Sequence, residues 1–161
     1  MENYGATIHL FCPRLVREEW DRQTHPWDKK PFYALPYRSF FGWPLNLARQ
    51  TAAAVDLLSK RGLLDSVPIN FAVNEQARGG TLLIAIKRHV KDLETRAISG
   101  QFMSFFFEGK YPERPHWIRQ VYRYGRANHL NFQELYFWYA TCPTCAKKQG
   151  YAQVVIFGKI V

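Results

Sequence analysis

Acidic residues, cysteines and long hydrophobic runs are all scarce in this sequence. The chain has 13 Asp and Glu against 22 Lys and Arg, so its formal net charge is +9 and acidic partners are favoured. No run of about 18 apolar residues occurs, which excludes a helix that spans a membrane. The cysteine count is 3, an odd number that argues against a disulfide framework. Without a signal-like apolar segment near Met1, we predict a cytoplasmic protein.

The sequence also lacks the short motifs that mark several common enzyme classes. It has no Walker phosphate loop, no GxGxxG fingerprint, no HExxH zinc motif and no GxSxG nucleophile elbow. Hydrophobic residues make up 47% of the chain, which is enough for a packed core. With 161 residues, the chain is predicted to form a single domain over residues 1–161.

The apolar pattern predicts the order strand, helix, strand, strand twice over. The predicted strands are Thr7–Cys12, Val67–Asn74, Thr81–Lys87, Thr95–Phe107, Glu134–Thr141 and Tyr151–Ile160, with helices at about 46–62 and 115–128. The first repeat then covers about 7–88 and the second about 94–161. Because such repeats bury two helices on one side of a shared antiparallel sheet, we predict an α+β fold.

Residues 13–44 are predicted to be an irregular insertion in the first repeat. Five prolines interrupt this segment, and aromatic residues lie between them. A loop of this length in a compact domain is usually functional or covers something. We therefore expect either a lid or a flap that covers the second face of the sheet.

The junction Phe107-Glu108-Gly109-Lys110-Tyr111, followed by Trp117 in a helix, resembles the GyrI-like small-molecule-binding domain family. The resemblance implies a cleft for hydrophobic, often cationic or reactive small molecules, and some members resemble hydrolases. It also suggests Tyr111 as a ligand-binding residue. A bacterial subgroup ends in a Cys-Pro-x-Cys-Ala-Lys-Lys hairpin, which matches residues 142–148. Without a helix-turn-helix module beside it, the domain is expected to act alone.

The segment Glu134–Thr141 carries the strongest candidate site. Side chains alternate along a strand, so Glu134, Tyr136 and Trp138 are predicted to share one face. A carboxylate beside two rings suits a cationic or planar ligand. Burial by the rings would raise the pKa of Glu134, which makes it our candidate catalytic acid or base, with Tyr136 and Trp138 as ligand-binding residues. An exposed glutamate at the strand end, paired with an arginine, is an equal alternative.

Cys142 and Cys145 have the spacing of a zinc knuckle, which makes them a candidate metal-binding pair. Zinc needs about four ligands: Cys12 could be the third, and the fourth could be one of four histidines, His9, His25, His116 or His129. We expect the pair in a hairpin turn, where a redox role is disfavoured because redox pairs lie at helix N-termini. Thiols in a tight turn are the simpler alternative, so no cofactor is predicted and zinc is the minority alternative.

These observations predict a protein that binds an apolar or cationic small molecule in an aromatic cleft, with hydrolysis of a reactive ligand as a further option. The alternative is a basic protein, stabilised by zinc or bound to nucleic acid, without catalysis. An arginine stripe at Arg119, Arg123 and Arg126 is the feature that favours nucleic acid. It is equally typical of a solvated helix face, so neither nucleic acid nor a membrane is an expected partner.

Overall fold

The computed structural model describes residues 12–41 and 43–161. These residues form, in chain order, helix α1 (Arg17–Trp20), strands β1 (Gln23–Phe40) and β2 (Trp43–Pro44), helix α2 (Leu47–Lys60), strands β3 (Asn70–Gln76), β4 (Gly79–Ala85) and β5 (Thr95–Gly109), a 3-10 turn (Tyr111–Glu113), helix α3 (Arg114–Ala127), strand β6 (Phe132–Tyr139), helix α4 (Pro143–Gln149) and strand β7 (Ala152–Ile160). The strand pairs are antiparallel, which confirms the predicted α+β class. The predicted strand Thr7–Cys12 lies outside the described residues except for Cys12. Within the described ranges, no helix is long and apolar enough to cross a membrane.

The chain forms two compact units that interleave along the sequence. Of the described residues, unit 1 comprises 12–13 and Lys29–Ile98, and unit 2 comprises Arg14–Asp28 and Ser99–Val161. The long strands β1 and β5 contribute residues to both units. A short segment from the start of the chain therefore belongs with the second predicted repeat.

Unit 1 contains four strands in the order β2-β1-β4-β3 and helix α2. The helix buries Thr51, Ala54, Val55 and Leu58, which recur at helical spacing. Gly62 follows the helix with a φ of 64°, in the left-handed region that glycine adopts without strain. The predicted helix boundaries at 46 and 62 are therefore confirmed to within two residues.

The prediction of an irregular segment over 13–44 is wrong, because residues 23–40 form one strand of 18 residues, in which Lys29 departs locally from extended backbone with a φ of 52°. Its side chains alternate, with Phe32 and Ala34 buried between more exposed neighbours. Pro36 fits because the N–H of Ala34, two residues earlier, points away from β4 and donates to Glu94 O at 2.9 Å. The nitrogen of Pro36 points the same way, so no bond to β4 is lost.

Unit 2 contains three strands in the order β6-β7-β5, and β1 also pairs with β5. One face of this sheet packs against helix α3. Trp117 and Val121 of the helix form a buried cluster with Phe105, Phe137 and Ile156 of the three strands. Leu135 and Tyr139 pack against the same cluster, so this face of β6 is the one predicted from alternation.

The opposite face of unit 2 is covered by residues 14–28. Trp20 packs edge-on against Trp138 with ring centroids 5.0 Å apart. Trp27 lies 4.7 Å from Phe102, again between ring centroids, and Arg17 lies over the ring of Phe106. The expectation that the 13–44 segment covers a sheet face is thus confirmed for this part of it.

The last two strands pair antiparallel as predicted, but the tight turn predicted between them is a helix. Helix α4 connects β6 to β7, and Cys142 is its N-cap residue. Pro143 at the first helical position has a φ that suits a helix start. Gly150 ends the helix with a φ of 87°. The Cys-Pro-x-Cys sequence is therefore a helix start and not a turn between paired strands.

Candidate functional site

Glu134 and Tyr136 are directly linked on β6. The Tyr136 hydroxyl donates to Glu134 Oε2 at 2.7 Å. Burial, together with the hydrogen bond to Glu134 and its charge, raises the pKa of Tyr136 well above the ordinary value of 10.0. Tyr136 is therefore a proton donor at neutral pH, and Glu134 is its acceptor. Glu134 itself is exposed, so the expected enclosure of this carboxylate by aromatic rings is not found.

Two further rings, Phe102 and Trp27, extend from the ring of Tyr136. Phe102 is fully buried, and Trp27 and Tyr136 flank it with ring centroids at 4.7 and 5.6 Å. Trp27 and Tyr136 are only half-buried, so both remain accessible to a ligand. We call Trp27, Phe102, Glu134 and Tyr136 the aromatic patch. It offers apolar ring surface and one carboxylate within unit 2, and Trp27 is the member that was not predicted.

Trp138 lies on the same sheet face, but it cannot touch a ligand in this arrangement. Its side chain is 0% exposed, and Trp20 packs against its ring. Its indole N–H has no hydrogen-bond acceptor among the described residues. The predicted ligand-binding role of Trp138 therefore remains a prediction that requires movement of Trp20.

Tyr111 lies away from the aromatic patch, on the α3 side of the sheet. Its ring packs edge-on against Tyr139 at 6.0 Å, and its hydroxyl donates to the backbone oxygen of Thr141. Tyr111 also lines a cavity of about 340 Å³ together with Lys110 and Lys147. The structure thus brings Glu134 and Tyr136 together, and it places Tyr111 in a different part of unit 2.

A histidine and a serine also lie in contact in unit 2, an arrangement that some hydrolases use for nucleophilic attack. His25 Nε2 and Ser104 Oγ are 2.8 Å apart. However, the Ser104 hydroxyl donates to the backbone oxygen of Trp20 at 2.5 Å, so its oxygen accepts from His25. Ser104 is also 0% exposed. This pair anchors helix α1 on β5 and does not provide an activated nucleophile.

The two candidate metal ligands are adjacent in space. The Sγ atoms of Cys142 and Cys145 lie within 4.8 Å of one another. The backbone N–H of Cys145 donates to Cys142 Sγ at 3.4 Å. Both cysteines follow the end of β6, whereas Glu134 and Tyr136 lie within that strand, so the cysteine pair is not part of the aromatic patch.

Structural comparison finds solved proteins that share this fold. A hydrolase from Listeria innocua has a TM-score of 0.64 and 12% identity, with 92% of this chain and 94% of that chain covered. The EcmrR C-terminal domain has a TM-score of 0.63 and 8% identity, with 88% of this chain and 98% of that chain covered. EcmrR in a complex with DNA has a TM-score of 0.61 and 8% identity, and this chain covers 57% of its length. At these identities the likeness concerns the fold alone.

The sequence itself gives the family. The chain belongs to the family described as bacterial hydrolase, whose model matches residues 4–160. No curated protein matches the sequence.

Proposed function

We propose that the aromatic patch binds a small molecule with a flat apolar body and a cationic or electrophilic group, and that the protein hydrolyses it. The observation that carries this proposal is the position of Glu134. Its exposed carboxylate accepts a hydrogen bond from the Tyr136 hydroxyl and lies in one patch with the half-buried rings of Trp27 and Tyr136. Membership of the bacterial hydrolase family supports the reaction type.

Ring stacking and charge provide the binding. A planar ligand lies against Trp27 and Tyr136 with buried Phe102 behind them. Stacking of this kind contributes about 1 kcal/mol for each ring beyond the area that is buried. The Glu134 carboxylate attracts a cationic group or the positive end of a polarised bond.

In the proposed reaction, Glu134 is a general base. Its carboxylate takes a proton from a water molecule while the water oxygen attacks the electrophilic carbon of the ligand. The bond from that carbon to its leaving group breaks, and the leaving group receives the proton from Glu134. Tyr136 is a positioning residue, because its hydroxyl holds the carboxylate in one orientation. The exposure of Glu134 allows water to reach it.

The experiment measures turnover and binding separately. Hydrolysis of a planar, activated electrophile such as an aryl epoxide is followed in the wild type and in E134Q. We expect kcat to fall by about 10²–10⁴-fold in E134Q, the usual effect of losing a general base. Binding of a neutral planar analogue, measured by tryptophan fluorescence, should change little. Equal turnover in both proteins would contradict the proposal.

Glu108 provides the matched control. It is also exposed, and its Oε1 lies 3.5 Å from Gln153 Nε2 and not beside Tyr136. We therefore expect E108Q to retain wild-type turnover. A loss in E108Q as large as that in E134Q would show that the effect comes from net charge and not from the aromatic patch.

A further inference from the structure

Two thiols meet at the start of helix α4, outside the aromatic patch. The Sγ atoms of Cys142 and Cys145 lie within 4.8 Å of one another, and both residues are half-buried. The N–H of Cys145 donates to Cys142 Sγ at 3.4 Å. A hydrogen bond of this kind is stronger when the acceptor sulfur is negatively charged, so it favours the thiolate form of Cys142. The thiolate is the form of cysteine that binds metals.

Hydrogen bonds on both sides fix the position of this pair. The Thr141 hydroxyl accepts from the Gln153 N–H at 2.9 Å, and its carbonyl accepts from Tyr111. On the helix side, Ala146 N–H donates to Cys142 O at 2.9 Å. Ligands that are held in place before binding lose less entropy when the metal arrives.

The surrounding charge suits two thiolates. Lys147 and Lys148 lie in the last turn of α4, two and three residues after Cys145. Lys147 lines the nearby cavity together with Lys110. Two sulfur anions would carry two negative charges, and the exposed ammonium groups of Lys147 and Lys148 add positive charge to the same helix.

We propose that Cys142 and Cys145 bind a thiophilic divalent metal ion, with Zn²⁺ as its representative, and that the ion fixes helix α4 to the end of β6. The spacing of two residues between the thiols is that of zinc knuckles. Zinc takes four ligands, so water or a further side chain fills the remaining positions.

The test is a metal titration of the full chain. The protein is stripped with a chelator and titrated with Co²⁺, which substitutes for Zn²⁺ and gives a near-ultraviolet charge-transfer band with thiolates. We expect one equivalent to bind with a band from at least two thiolates, and Zn²⁺ to displace it. We also expect C142S and C145S to lose the band, and Zn²⁺ to raise the melting temperature of the wild type alone.

C12S is the matched control, since it removes one thiol and leaves the pair intact. A band that survives in C12S but not in C142S or C145S supports the proposal, and equal loss in all three variants would contradict a site formed by this pair. Binding lost in C12S but kept in C142S would overturn it. So would a wild-type titration without a thiolate band, a result that is independent of whether any variant folds.

Discussion

At the scale of single residues, the bond between Tyr136 and Glu134 connects the fold to the proposed chemistry. A tyrosine that donates to an exposed carboxylate holds it in place without neutralising it. Replacing Tyr136 by Phe removes only the hydroxyl and leaves the ring that packs on Phe102. This residue therefore offers a separate test of orientation and of stability.

The first prediction concerns pH. Because the pKa of Tyr136 is raised above 10.0, the folded protein holds this proton more tightly than the unfolded chain does. Its contribution to stability is complete below the ordinary pKa and is lost as the pH rises above it. We expect the free energy of unfolding to fall more steeply above about pH 10 in the wild type than in Y136F. Urea unfolding across that range measures this, and parallel curves would contradict it.

The second prediction concerns Trp27. Truncation of this half-buried ring to Ala should remove one wall of the aromatic patch. We expect W27A to raise the Kd of a lipophilic quaternary ammonium probe by about 5–30-fold, which is about 1–2 kcal/mol. Tyr122, an exposed ring on helix α3, is the control, and Y122A should bind within about two-fold of the wild type. Equal weakening in both variants would argue against the patch.

Part of the candidate site could be predicted from the sequence alone. Alternation along β6 correctly separates Tyr136 and Trp138 from Leu135 and Phe137, because a strand directs successive side chains to opposite faces. It does not show what lies above each face. The cover over Trp138 comes from Trp20, 118 positions earlier, and Trp27 contacts Phe102, 75 positions later, so no local pattern contains either contact.

At the scale of elements, helix α1 and the start of β1 act as a cover for the unit 2 sheet. Ser104 anchors that cover through its bonds with His25 and the Trp20 carbonyl. We expect S104A to destabilise the protein by about 1–3 kcal/mol, since the Trp20 carbonyl loses its donor and the His25 ring loses its partner at a buried position. Urea unfolding measures the loss. Ser59 is exposed on α2, so S59A should lie within about 0.5 kcal/mol of the wild type. A similar loss in both variants would contradict an anchoring role for Ser104.

Two glycines at helix ends give a matched pair of substitutions. Gly62 and Gly150 both have positive φ, and none of the described atoms lies within 4 Å of a Cβ built at either position. An alanine therefore adds backbone strain alone, and G62A and G150A should each cost about 1–2 kcal/mol. Only G150A alters the helix that carries the cysteine pair, so only G150A should weaken Co²⁺ binding. Equal cobalt affinity in G150A and the wild type would contradict a metal-dependent position of α4.

Helices and strands could be predicted from the sequence wherever their apolar residues recur at regular spacing. Helices α2 and α3 and the later strands follow the apolar pattern closely. Strand β1 was missed because prolines usually end strands, and Pro36 is tolerated only through the direction of its nitrogen. Helix α4 was missed because a segment of seven residues is too short for a periodic signal.

At the scale of the whole molecule, the positive charge predicts weak attraction to polyanions. The exposed Arg119, Arg123 and Arg126 on helix α3 add to a net charge of +9. We expect binding to duplex DNA to weaken steeply between about 50 and 200 mM salt, as for sequence-independent phosphate contacts. A filter-binding titration measures the slope, which should decrease in R119E/R123E/R126E. Tight binding that salt does not weaken would instead indicate specific recognition.

The interleaving of the two units has a consequence for how the chain is made. Residues 14–28 leave the ribosome before residues 29–98 of unit 1, and the strand residues that they cover, from Ser99 onward, are made only after those 70 residues. Trp20 can therefore pack against Trp138 only after most of the chain has been synthesised. A fragment that begins at Ser99 lacks residues 14–28, which cover this sheet face. It would therefore expose Trp138, Phe102 and Phe106 to solvent and would be prone to aggregate.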